Sequence, residues 1–207
     1  MMAKLSLTGI AAFALCLASG AAVAADPDWP CEQVLQPQLS VGSMWEGPDP
    51  TAARASWEND EAVKTLVVRV APRRVPLDEA KEEIRRFALG ITGDRQKLLT
   101  EVFAGLFETI NQERSSIIHG IKRYRTRQAA LAKVIEDKTS ALDDIDPASE
   151  DQAVQQKRID MQNELNWDTR IFDDRQRLLP AVCEQPVLLE QRLYQLSHAV
   201  MDDMTVK

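Results

Sequence analysis

The chain has 207 residues, a formal net charge of −7 and 44% hydrophobic residues. That acidic balance argues against nucleic acid and anionic lipid as partners, since both attract Lys and Arg. Length and composition fit one domain with a sizeable core.

Lys4 is followed by an uncharged run from Leu5 to Val23, and Ala22-Val23-Ala24 puts small residues where a signal peptidase reads. Residues 1–24 are therefore expected to be a secretory signal peptide, cut after Ala24 or one residue later after Ala25. Leu15 precedes Cys16 where a lipoprotein signal needs a small residue, so no lipid anchor is expected. The short basic start and alanine-rich run are bacterial in style, which makes the periplasm the expected destination. No later stretch approaches the roughly 18 apolar residues of a membrane span, and none is expected in the mature chain. Cleavage removes Cys16 and leaves Cys31 and Cys183. In an oxidising compartment such a pair forms a disulfide, and only one intramolecular pairing exists.

Residues 25–58 are dense in Pro and Gly, which excludes long regular elements, yet they hold Trp29, Trp45 and Trp57. A disordered tail would lack such rings. The segment reads as an irregular strap pinned to a helical body by its tryptophans and Cys31. A Trp-lined ligand surface is the functional alternative.

From residue 59 onward helix signals dominate. Asn59 is a candidate cap, with Asp60 and Glu61 in the first turn. The run Thr65–Val70 has strand propensity but no partner strand, so context should make it helical. Pro76 suits the start of the next helix, Gly90 and Gly93 its end, and Asp94 the cap of the helix after it. Apolar residues then recur at spacings of three and four from Leu99 to Leu142, interrupted by Arg114, Gln128 and Lys138, with one slip near Ile110. This predicts one long coiled-coil-like helix. Asp143–Glu150 reads as a turn, and a second helix runs from about Ser149 to Leu179. Its apolar face combines Val154, Met161, Leu165, Phe172 and Leu179 with Trp167, Ile171 and Leu178. Pro180 and Pro186 should break it, leaving a last helix from Val187 to about Met204.

A short connection makes the two long helices antiparallel neighbours. If Leu142 meets Ser149, facing residue numbers sum to about 291. Lys122, Arg123, Arg125 and Arg127 then lie opposite Glu164, Asp168 and, slightly further along, Asp173 and Asp174. The expected fold is all-α: a long antiparallel helical hairpin forming a stalk (113–179), a small helical head (59–112 and 180–207) and the irregular N-terminal strap.

Chemistry is sparse. His198 shares a helix flank with Glu190, Tyr194 and Asp202, so Glu190, His198 and Asp202 are weak metal candidates that lack further ligands. His119 falls beside the slip in the seam, where a polar residue sets register. The acids around the turn lack the Gly and Glu of an EF-hand loop, since Ser149 and Gln155 occupy those places. No nucleophile elbow, zinc-protease pair or Gly-rich phosphate loop is present. No catalytic residue, metal or cofactor is assigned. The expectation is a secreted, non-catalytic protein acting through protein–protein contacts as an adaptor, assembly factor or chaperone. Its partner is unknown, and leftover seam surface allows homo-oligomers through the stalk. A small-ligand or metal carrier using the C-terminal helix or the strap is the alternative.

Overall fold

A computed structural model describes residues 26–205, so the signal-peptide reading of residues 1–24 lies outside the described residues. All regular structure in them is helical: α1 (Thr51–Arg54), α2 (Glu61–Val70), α3 (Leu77–Leu89), α4 (Arg95–Asp143) and α5 (Gln152–Thr205), with two short 3-10 turns in the strap. The strand-prone run ahead of Val70 is helical, as the lack of a pairing strand requires. Asp60, rather than Asn59, caps α2 by accepting from the Ala62 and Val63 amides. Asp94 caps α4 through the Lys97 amide.

α4 and α5 form the antiparallel hairpin. The seam positions read from the sequence hold, because Leu99 to Leu142 at those spacings are all buried or half-buried. The core gathers at one end, where α2, α3 and residues 189–200 of α5 cover α4 between Leu99 and Ile110. There Gly105 lets α2 and the strap approach α4, since a Cβ at that position would sit 2.8 Å from both Trp57 Cε3 and Val67 Cγ2. Trp45 stacks on Phe103 with centroids 4.1 Å apart, and Trp57 Nε1 donates to Glu108 at 2.9 Å. These rings pin the strap as expected. Cys31 and Cys183 are bridged.

Three further expectations are corrected. Pro180 and Pro186 do not end the second helix: α5 runs unbroken for 54 residues, longer than the 49 of α4. A proline inside a helix costs about 3 kcal/mol in a missing amide bond and a clash. Neighbours secure this stretch instead. Tyr124 donates its hydroxyl to the Arg175 carbonyl, Gln33 donates to the Cys183 carbonyl, and the disulfide holds the segment between the two prolines.

The register also differs. Gln128 donates to the Phe172 carbonyl, about two and a half turns beyond the residue that a sum of 291 places opposite it. The connection is longer than assumed, because Asp146, Ser149 and Asp151 close it with side-chain turns and α5 starts only at Gln152. Lys138 therefore takes Glu164 and Asp168, at 3.0 and 2.8 Å, while Lys122 pairs with Asp26 of the strap at 2.6 Å. Arg123, Arg125 and Arg127 make no ion pair among the described residues.

Finally, a two-helix seam buries only one stripe of α5. Leu165, Phe172 and Leu179 supply it, whereas Trp167 and Leu178 stay 63% and 61% exposed. His119 is exposed too, its Nδ1 2.7 Å from the Ser115 carbonyl, and the buried polar seam residues are Arg114 and Gln128.

Candidate functional site

Two surfaces stand out. The first is a cavity of about 490 Å³ where the strap crosses the hairpin. Its apolar walls come from Trp29, Val34, Leu35 and Met44 on the strap, Ile118 on α4 and Val187 on α5. The strap is held across it by Asp26 on Lys122, by the Leu39 amide donating to Asn111 at 3.2 Å, and by the Cys31 bridge.

One cation lies under this roof. Arg114 is 4% exposed, and its Nη1 donates to the Gln36 carbonyl at 2.5 Å. Its Nη2 stands 3.7 Å from Glu190 Oε2, an ion pair too long for a hydrogen bond. Its Nε is buried with no partner. Burial pushes the guanidinium below the usual arginine range, partly offset by the Glu190 charge.

The metal candidates are placed plainly by this geometry. Glu190 faces Arg114 across the cavity, and the His198 ring packs on Tyr194 with centroids 4.2 Å apart. Asp202 lies at a separate recess beside Asp78, Lys81 and Arg85. Among the described residues no group of three His, Cys, Asp or Glu side chains could hold a metal. The strap and the C-terminal helix, separate alternatives in the sequence, thus line one cavity. Arg114 was visible as the cation interrupting an apolar seam; nothing in the sequence paired it with Gln36 or Glu190.

Arg192 was missed altogether. It is 8% exposed and donates to the Ala71, Val75 and Val70 carbonyls at 2.8, 3.0 and 2.6 Å, closing the C-terminal end of α2. A charged residue on the apolar face formed by Leu189, Leu193 and Leu196 was the available signal.

The second surface is the outer face of the hairpin away from the core. Trp167, Ile171 and Leu178 recur there at helical spacing on α5, and Val134 is 43% exposed on α4. No described helix is long and apolar enough to cross a membrane. No known family model matches this chain, and no curated protein or solved structure is similar to it at a significant level.

Proposed function

We propose that this is an exported, periplasmic, non-catalytic helical protein whose hairpin docks against another protein, as an adaptor, assembly factor or chaperone does. The observation that carries this reading is the stripe formed by exposed Trp167 and Leu178 with half-buried Ile171 between them. Large rings are the side chains most enriched at the energetic centres of interfaces, and this one lies on a rigid helix. Export is supported by the Cys31–Cys183 bridge, which needs an oxidising compartment. Pull-down from the native periplasm with wild-type chain and a Trp167→Glu/Leu178→Glu variant tests the docking. A specific protein captured only by wild type is expected; equal capture by both would refute it. N-terminal sequencing of the exported chain should begin at Ala25 or Asp26.

A second reading is favoured by the cavity under the strap, whose volume suits a small organic molecule. Its apolar walls and single buried cation favour a ligand with an apolar body and an anionic or hydrogen-bonding head. Native mass spectrometry of freshly isolated protein checks it: a stoichiometric adduct lost in Ile118→Trp supports the carrier, and bare polypeptide mass counts against it.

A further inference from the structure

We infer that the outer hairpin face pairs with a second copy of itself about a two-fold axis passing beside Val134 and Trp167. This rests on the docking reading above and names its partner. Lys138 bridges Glu164 and Asp168 and Gln128 reaches the Phe172 carbonyl, so Val134, between them on α4, stands within about a turn of Trp167 on α5. Arg123, Arg127, Val134 and Lys138 succeed one another at intervals of four, seven and four residues, which places them on one flank of α4. Asp160, Glu164, Trp167, Ile171 and Leu178 recur at four, three, four and seven, one flank of α5. A recess of about 500 Å³ lined by Lys138, Asp160 and Glu164 joins the two flanks on the same side of the hairpin.

Along that side the character changes in a set order. Nearest the turn it is acidic at Asp160, then apolar at Trp167 and Val134, then basic at Arg127 and Arg123. Asp160 precedes Trp167 by seven residues, toward the turn; Arg127 precedes Val134 by seven, toward the core. Each therefore lies about 10 Å from the apolar centre, on opposite sides of it. With the two hairpins crossed, so that α4 of one copy passes over α5 of the other beside the recess, a half-turn about that centre brings Arg127 of either copy toward Asp160 of the other and sets the apolar residues against each other. The pattern is self-complementary, as a closed two-fold interface requires.

The charges are available for this. Arg127 and Asp160 make no ion pair among the described residues, Asp160 accepting only from Gln156 at 2.9 Å. Lys138 spends its charge on Glu164 and Asp168, and Lys157 borders the recess but makes no ion pair with Asp160 among the described residues. Salt should weaken such an interface while the apolar centre retains part of the affinity.

Sedimentation velocity on the exported chain tests it, with Arg127→Glu, Asp160→Arg and Trp167→Glu, all exposed positions whose folding is checked by circular dichroism. Wild type should pass from monomer to dimer with concentration. Arg127→Glu or Asp160→Arg alone sets like charges together twice per dimer and should weaken association at least about tenfold. Mixing those two variants should restore the dimer, because both contacts then join opposite charges. Trp167→Glu should abolish it. A dimer indifferent to these changes, or a mixture no tighter than its parts, overturns the proposal. A wild-type chain that stays monomeric into the submillimolar range also overturns it, without touching docking on a different protein, which the pull-down decides separately.

Discussion

Arg192→Met removes the guanidinium that closes α2 while keeping most of the side chain's apolar volume. The carbonyls of Val70 and Ala71 lie at the end of α2, where no further turn supplies amides, and both bonds from Arg192 are buried. The Val75 carbonyl is partly exposed, and water should replace its lost donor. An unsatisfied buried acceptor costs about 1–3 kcal/mol. Against this, the substitution relieves the burial of a charge, which holds the Arg192 guanidinium below its usual range and is opposed further by Arg73. Two stranded carbonyls less that relief give a net loss of about 2–4 kcal/mol. For a domain of this size, this lowers Tm by about 5–15 °C. Far-UV circular dichroism on heating reads it. Arg192→Lys should not rescue, since an ammonium lacks the planar fork that spans three carbonyls. An unchanged Tm for Arg192→Met would refute the reasoning, showing that desolvation cancels the whole network.

Gly105→Ala should destabilise although alanine is the better helix former by about 1 kcal/mol. The added methyl meets buried Trp57 and Val67 atoms at 2.8 Å, and overpacking of that kind costs about 1–3 kcal/mol; a raised Tm would contradict the close approach. Replacing Cys31 and Cys183 by serine should lower stability by about 2–4 kcal/mol, read by urea unfolding without reductant, and an unchanged midpoint would count against the bridge. The hydrogen bond from Lys122, with one from the Asp28 amide, holds the Asp26 carboxyl below its ordinary 3.8. A depressed carboxylate contributes stability above its unfolded value and loses it as pH falls through the lower folded value. The protection factors of the Asp28 and Trp29 amides, taken against the intrinsic exchange rate at each pH, should thus hold at neutral pH and fall only below about 4, and Lys122→Met should shrink that acid step to the part set by the Asp28 amide.

What the sequence made legible was what local pattern controls. The three-and-four spacing from Leu99 to Leu142 located α4 and its buried stripe, and Asp94 and Gly90 set element ends. The missing partner strand settled the helical state of Thr65–Val70. The errors share one cause: they concern how two elements meet. Pro180 and Pro186 argue for a break when read alone, but Tyr124, Gln33 and the disulfide arrive from elsewhere in the chain. Register depended on the turn between Asp143 and Gln152, and the shift there freed the arginines of α4 from their expected acids. Trp167 and Leu178 looked like seam residues because amphipathic spacing marks a face without saying whether anything covers it. The cavity could not be foreseen for the same reason, since its walls come from residues 29–44, 114–118 and 186–195 together.

On the proposed function, the stripe around Trp167 is the binding face. Trp45 and Trp57 are buried, so in a Trp29→Phe background acrylamide quenching reports chiefly on Trp167. Strong quenching of the dilute chain that falls sharply as the chain associates, with itself or with a captured partner, is the predicted result. Quenching that stays the same in the associated state would place the contact elsewhere and rule out Trp167 as the binding face.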